Sequence, residues 1–314
     1  MLQNQKNDTI NIALVCDKNM EAGLHLTLHS LLKKVSRMVN VYLFHENFTE
    51  RDIQNLEASL SVFRDKYKLF PRLIEESRFD SQPGLFGKTI TYFRLTIPEL
   101  LSVDKILYLD TDLLVNLDVA KIFDLDMAGF GLAAESMNPV EKCWDSEYLL
   151  SKGCDPDSLS LQAGVLLIDC DFWRNNQITK KSIDLLNEDR NKIRTVDQTV
   201  LNYLFNGKFL PFEKFTQTSV WPNDKPLPSE LSDTIYHFVG VPKPWEFLGE
   251  IFHGNYSLYR SEIKGTVFEN TNSWNDLTFN KLHRFIRTLR LYFRTFRKRI
   301  GWFFERRAKL RNND

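Results

Sequence analysis

Asp110 and Asp112 stand one residue apart in Tyr108-Leu109-Asp110-Thr111-Asp112-Leu113-Leu114-Val115, at the end of an apolar run. Carboxylate oxygens are the ligands that hard divalent cations such as Mg²⁺ and Mn²⁺ favour. A cation held there can neutralise negative charge developing on a phosphate-bearing leaving group. The run Ile106-Leu107-Tyr108-Leu109 reads as a buried strand, which fixes the backbone where the ligands emerge. Asp-x-Asp alone is a common pattern, more often a solvated turn than a site, so its weight rests on its surroundings.

His237 is the second candidate, in Tyr236-His237-Phe238-Val239-Gly240-Val241-Pro242-Lys243-Pro244-Trp245. A lone histidine between aromatics is usually a satisfied core residue. The loop after it shifts the balance: Gly240 permits close backbone approach to a ligand, and Lys243 offers a point charge for phosphate. An imidazole beside two carboxylates suits Mn²⁺ better than Mg²⁺ or Ca²⁺. Other chemistries lack support. Gly84-Leu85-Phe86-Gly87-Lys88-Thr89 hints at a phosphate loop, but Gln82 stands where the first glycine belongs, and the segment reads as a flexible loop. There is no Gly-x-Gly-x-x-Gly, Gly-x-Ser-x-Gly or His-Glu-x-x-His, which excludes the usual dehydrogenase, serine hydrolase and zinc protease signatures.

The elements that must position these groups alternate. Ile10 to Cys16 reads as a buried strand, with Asp17-Lys18-Asn19 as its C-terminal loop. Ala22 to Val35 has helical spacing, Val39 to Phe44 is a strand, and Thr49 to Phe63 a helix. Lys68 to Ile74 is a weaker strand. A helix is predicted over Thr91 to Leu100 despite Pro98. Gly131 to Ala134, Ala163 to Asp169 and Thr234 to Phe238 are further strands. The alternation predicts an α/β fold, a mainly parallel sheet with helices on both faces. Ligands of such sheets lie at the carboxyl ends of the strands. Asp17 and Asp110/Asp112 both fall there, so one crevice can hold all three.

The 314 residues fit one large domain with an appendage. Four cysteines, none in a Cys-x-x-Cys pair, suggest neither structural zinc nor a secreted disulfide scaffold. The polar Met1 to Asp8 lacks a signal core, and no run of 18 apolar residues spans a membrane, which points to the cytoplasm. The formal net charge of zero hides an asymmetry: from residue 280 onward 12 basic residues face two acidic ones, so a +10 tail joins a −10 body. Such separation suggests a surface-binding tail.

Six motifs in order give the chain a resemblance over roughly residues 10 to 250: Ala13-Leu14-Val15-Cys16-Asp17-Lys18-Asn19, Thr91-Tyr92-Phe93-Arg94-Leu95, Leu109-Asp110-Thr111-Asp112, Gln162-Ala163-Gly164-Val165-Leu166-Leu167, Asp197-Gln198-Thr199-Val200-Leu201-Asn202, and His237 through Trp245. Together they resemble glycosyltransferase family 8, retaining enzymes that include bacterial lipopolysaccharide galactosyl- and glucosyltransferases. The resemblance implies a GT-A fold, Rossmann-like with a mainly parallel mixed sheet, over residues 9–255, and a C-terminal extension over 256–314. It implies Mn²⁺ (or Mg²⁺) held by Asp110, Asp112 and His237 and bridging a UDP diphosphate. Asp17 and Asn19 match positions that contact uridine, Arg94 a basic residue near the donor, and Lys243 a phosphate contact. Asp197 matches a carboxylate on the donor sugar, and Gln198 the side chain nearest the anomeric carbon. Gln162 stands where the family usually has Asn; the added methylene alters hydrogen bonding to the donor sugar and leaves galactose and glucose both open.

The tail predicts a basic amphipathic helix over residues 278–311. Phe285, Leu289, Phe293, Phe296, Ile300 and Phe303 step by three or four, and Arg284, Arg287, Arg290, Arg294 and Arg297 share another face. Such a helix docks on the acidic body, offers a coiled-coil partner surface, or lies on anionic lipid, with Trp302 and the phenylalanines in the acyl boundary. The lipid reading suits a glycolipid acceptor and a place on the inner face of the cell membrane. No RNA-recognition motif supports nucleic-acid binding. The expected activity is Mn²⁺-dependent transfer of galactose or glucose from a UDP-sugar, with retention, to a lipopolysaccharide or lipooligosaccharide core. The rivals are a protein-linked or other cell-surface glycan acceptor, and a non-catalytic sugar-nucleotide or lipid-binding module.

Overall fold

The computed structural model describes residues 9–74, 79, 82, 89–189, 191–212, 217–228, 230 and 232–311. Gly84 to Lys88, the heart of the glycine-containing loop, and the side chains of Ile300, Trp302 and Phe303 lie outside the described residues. In chain order the elements begin with β1 (Thr9–Cys16), α1 (Glu21–Lys34), β2 (Met38–His45), α2 (Glu50–Ser59), β3 (Tyr67–Leu73), α3 (Ile97–Leu100), β4 (Lys105–Leu109) and β5 (Leu113–Val115). Next come α4 (Ala120–Phe123), β6 (Leu132–Pro139), α5 (Ser146–Ser151), β7 (Leu159–Asp169), α6 (Cys170–Asn175), α7 (Ile178–Asp189) and α8 (Val196–Leu204). The last are β8 (Leu210–Pro211), β9 (Gln217–Val220), β10 (Ile235–Phe238), α9 (Gly249–Phe252), α10 (Tyr256–Glu262) and α11 (Phe279–Arg311).

Seven strands form one sheet in the order β3-β2-β1-β4-β7-β6-β8, parallel except where β7 runs against β4 and β6. β1 shows why it sits centrally. Ile10, Ile12 and Leu14 face one apolar layer with Leu24, Leu28 and Leu31 of α1, while Ala13 and Val15 face the other with Tyr92 and Trp173. A strand buried on both faces reads as a continuous apolar run, as it does here. At the sheet edge, Pro71 sits in β3 opposite Leu43, where a missing N–H is tolerated. A smaller sheet, β5-β10-β9, places β10 antiparallel to β5 and parallel to β9.

Three expectations need correction in detail. The predicted helix over Thr91 to Leu100 is a 3-10 run, Ile90–Leu95, followed by the short α3. Pro98 lacks an N–H and would clash with the carbonyl four residues back; the break at Thr96 moves it into the first turn of a new helix, where it is tolerated. The helix from Thr49 closes at Ser59, opened by a capping box in which Thr49 and Asp52 exchange hydrogen bonds. The row of phenylalanines in α11 divides between two faces. Phe285 packs edge-on to Phe247 and Tyr292, and the buried Tyr292 donates a hydrogen bond to the Phe247 carbonyl at 3.0 Å. Arg284 pairs with Glu246. Phe279, Leu282, Ile286 and Phe293 stay exposed on the opposite side with Arg287, Arg290, Arg294 and Arg297. At 3.6 residues per turn, Phe285 and Tyr292 stack while Phe293 turns outward. No described helix is long and apolar enough to cross a membrane.

Candidate active site

The chain leaves β4 at Leu109 and crosses through Asp110-Thr111-Asp112 into the small sheet. Backbone bonds fix the crossing: Asp110 N–H donates to the Gly164 carbonyl at 2.8 Å, and Phe238 N–H to the Asp112 carbonyl at 2.9 Å. Gly23, in the first turn of α1, lies so near that a Cβ there would sit 2.3 Å from the Thr111 carbonyl oxygen. β10 pairs His237 with Leu113, so the imidazole lands beside the carboxylates. One ligand atom each from Asp110, Asp112 and His237 lies within 4.8 Å of the others. His237 Nε2 is 3.0 Å from Asp112 Oδ1 and 3.7 Å from Asp110 Oδ2.

The ring is held from behind. The amides of Gln162 and Gln217 reach its Nδ1 at 2.8 and 3.1 Å, which turns Nε2 toward the aspartates. Gly164 makes room, since a Cβ there would come within 2.7 Å of the imidazole. Asp112 Oδ1 is buried without a well-aligned hydrogen-bond donor. Two carboxylates and an imidazole converging on one point fit a divalent cation, and the nitrogen ligand favours Mn²⁺. Lys243 Nζ sits 2.6 Å from Asp112 Oδ2 and also reaches the Phe238 carbonyl. Burial opposes the Asp112 charge, but His237 and Lys243 outweigh it and hold the carboxyl well below its usual range.

Arg94 joins this cluster to α8. Its guanidinium is buried, 2.8 Å from Asp110 Oδ1 and 2.9 Å from Asp197 Oδ2, and donates to the Ala163 carbonyl at 2.6 Å. It lies over the Tyr108 ring, centroid 4.5 Å away, while the Tyr108 hydroxyl donates to Asp110 at 2.9 Å. Burial pushes the Asp197 carboxyl up to about 6; Arg94 opposes this and Asp110 adds to it. Gln198 accepts from the Ala163 N–H at 3.2 Å, so its amide meets the middle of β7 beside Gln162. Just before this pair, Val196 adopts φ +46°, a left-handed conformation. For a β-branched residue this costs about 1–3 kcal/mol and persists only where its surroundings enforce it.

The remaining predicted residues are placed as follows. Asp17 ends β1, beside β4 in the parallel sheet, and its carboxylate accepts from Asn19 N–H at 3.1 Å and Asn19 Nδ2 at 2.9 Å. Gly240 has φ +76°, and the space a Cβ would take is filled by the Trp221 indole at 3.0 Å. Its glycine character therefore serves the fit of Trp221 as well as any ligand. Sequence reasoning missed Tyr108 and Gln217. Tyr108 was within reach, because residues two apart on a strand share a face. Gln217 carries no local signal.

Comparison with known proteins shows the family and the fold. Lipopolysaccharide 1,3-galactosyltransferase of Salmonella typhimurium is 29% identical over 258 residues, covering 79% of this chain and 76% of that protein. Lipopolysaccharide 1,2-glucosyltransferase of Escherichia coli is 25% identical over 266 residues, covering 76% of this chain and 73% of that protein. Glycosyltransferase GlyA of Streptococcus pneumoniae is 28% identical over 221 residues, 68% of this chain, but the match spans only 29% of that longer protein. The crystal structure of the galactosyltransferase LgtC with donor and acceptor sugar analogues superposes with a TM-score of 0.67 at 19% identity, covering 88% of this chain and 100% of that one. The model of Glycosyl transferase family 8 matches residues 11–249, and the chain belongs to that family, a glycosyltransferase on a GT-A fold.

Proposed function

We propose that the protein transfers galactose or glucose from a UDP-sugar to a saccharide hydroxyl with retention of configuration, using Mn²⁺. The observation that carries the reading is the convergence of Asp110, Asp112 and His237, the last two buried, on one point at the carboxyl end of β4. The relatives named as lipopolysaccharide galactosyl- and glucosyltransferases support a lipopolysaccharide or lipooligosaccharide core as acceptor. Residues 9–255 form the catalytic domain in this reading and 256–314 its extension.

Asp110, Asp112 and His237 would hold the cation, which would supply positive charge to stabilise the leaving diphosphate. Lys243, now on Asp112, supplies a further positive charge for phosphate. Asp17 and Asn19, beside the metal ligands at the end of β1, bind the nucleoside. Gly240 lets backbone approach the donor, and Asp197 and Gln162 hydrogen-bond the donor sugar. Gln198 faces the anomeric carbon opposite the leaving group. A covalent route wants a carboxylate nucleophile; Gln198 is an amide, and Asp197 already engages Arg94 at 2.9 Å. The acceptor hydroxyl therefore attacks on the face that UDP leaves, with a phosphate oxygen as base. The outward face of α11, arginines beside exposed Phe279, Ile286 and Phe293, suits anionic lipid on the inner face of the cell membrane.

The test is release of UDP from a panel of UDP-sugars, with Mn²⁺, with Mg²⁺ and with EDTA, in the presence of lipopolysaccharide core acceptors. Metal-dependent release from UDP-galactose or UDP-glucose supports the reading and names the donor. Release that persists in EDTA overturns the metal assignment.

A further inference from the structure

A buried carboxylate outside the cluster touches no ligand-facing group, yet it grips the helix that carries Asp197 and Gln198. Asp145, 4% exposed, accepts four hydrogen bonds from one short stretch. Arg194 N–H donates to its Oδ1 at 3.0 Å. Thr195 N–H at 3.0 Å, the Thr195 hydroxyl at 2.5 Å and the Thr199 hydroxyl at 2.6 Å all donate to its Oδ2. All four donors are uncharged, so the carboxylate serves geometry rather than charge neutralisation.

The stretch it grips is the strained one. Thr195 makes no side-chain cap of its own on α8, and the orphan donors at the start of that helix need an acceptor. Asp145 supplies it from 50 residues away in sequence. Val196, between the gripped Thr195 and the functional Asp197, is the residue held left-handed. The support is itself anchored: α5 begins at Ser146, Tyr148 donates to Asp189 at 3.2 Å, and Lys152 pairs with Asp189 at 2.9 Å. A turn that its own sequence disfavours is thus clamped by a carboxylate fixed in a separate segment.

We propose that Asp145 is a positioning residue for transfer: by enforcing the Thr195-Val196 turn it sets where α8 places Asp197 against Arg94 and Gln198 against the Ala163 N–H of β7. This rests on the reading that Asp197 and Gln198 act at the donor sugar. Small displacements of such groups cost up to about 100-fold in rate. Asp145 makes no recorded contact with Asp110, Asp112 or His237, so nucleotide and metal binding are left largely intact when it is changed.

The experiment uses the full chain with whichever of UDP-galactose and UDP-glucose turns over. Asp145→Asn turns one oxygen into a donor that faces other donors. Its kcat is expected to fall about tenfold or more while the Kd for UDP with Mn²⁺ changes less than about twofold. Adding Val196→Gly, which accepts the left-handed turn without strain, is expected to recover kcat about threefold. A purely structural role predicts the opposite sign, because Val196 is buried and its removal further loosens the core. A kcat unchanged in Asp145→Asn, a UDP affinity that falls in step with kcat, or a double variant slower than the single one overturns the proposal. If Asp145→Asn does not fold, Thr199→Val removes one of the four donors and is read by the same criteria. Gln198→Ala separates the two readings: if it turns over normally, the assignment of the α8 pair fails; if it is crippled while Asp145→Asn is normal, only the clamp fails.

Discussion

The crevice at the strand ends and the outer face of α11 are both rich in charge, and they handle it in opposite ways. In the crevice, Arg94, Lys243 and His237 face Asp110, Asp112 and Asp197, and each contact is at or near hydrogen-bond distance. On α11, Arg287, Arg290, Arg294 and Arg297 point outward, and between Phe279 and Phe304 there is no acidic residue. Charges that are matched and buried form a unit: removing one leaves another uncompensated. Charges that are unmatched and exposed act one at a time, through solvent and salt. The first arrangement suits a small ligand that exchanges with internal partners, the second an extended anionic surface.

The largest effect is therefore expected in the crevice. Asp112→Ala removes a proposed metal ligand and strands Lys243 and His237 beside each other. Turnover is expected to fall by about 10³-fold or more, with loss of Mn²⁺-dependent UDP binding in calorimetry. Retained metal-dependent binding would break the assignment. Arg94→Leu should come next. It leaves the buried Asp197 and the half-buried Asp110 without their shared cation, a loss expected to cost about 3–5 kcal/mol in urea unfolding. Arg94→Lys keeps the charge but not the fork that reaches two carboxylates and a carbonyl, and should fall between. If Arg94→Leu unfolds at the same urea concentration as the native protein, the crevice is not the coupled unit described.

Titration separates the two regions further. The folded Asp197 carboxyl, at about 6, lies above its ordinary 3.8, so the folded state binds that proton more tightly than the unfolded chain. Its contribution is fully present below about 3.8 and is lost as pH rises through about 6. Stability of the native protein relative to Asp197→Asn should thus decline across pH 4 to 6 by up to about 3 kcal/mol and then level off. A flat difference would mean that burial does not raise Asp197. Arginine does not titrate in this window, so attachment to phosphatidylglycerol vesicles should stay level over the same range.

What the sequence revealed and what it hid divide along similar lines. Asp110 and Asp112 were legible because an apolar run ends at them, and His237 because an aromatic strand and a Gly-Lys loop surround it. Arg94 was singled out as a candidate from its motif but not as a bridge, because its partners lie 16 and 103 positions away and nothing in local spacing names them. Asp145 and Gln217 were invisible for the same reason: a hydrogen bond between distant segments leaves no periodic trace. The strands Ile10 to Cys16 and Val39 to Phe44 followed from buried runs, whereas the break at Thr96 depends on how one proline is accommodated. In α11 the 3.6-residue period was correct, but two apolar rows share the helix, and only contact with Phe247 and Phe252 decides which one docks.

That docked row dictates how the smallest effect should be sought. Deleting α11 would uncover Phe247 and Phe252 and disturb the body, so the outer face is better altered by substitution. Each exposed arginine near an anionic surface contributes about 1 kcal/mol, so Arg290→Gln alone should weaken sedimentation with phosphatidylglycerol vesicles about fivefold. Changing Arg287, Arg290, Arg294 and Arg297 together should compound toward about 10³-fold, because separated surface charges add. Raising the salt should weaken native attachment and leave the quadruple variant nearly unaffected. Turnover on a soluble saccharide acceptor should not change in either variant, since none of these side chains reaches the crevice. Vesicle binding that survives the quadruple change would show that the outer arginines are not what holds the protein to lipid, and the contrast between the two regions would then rest on the crevice alone.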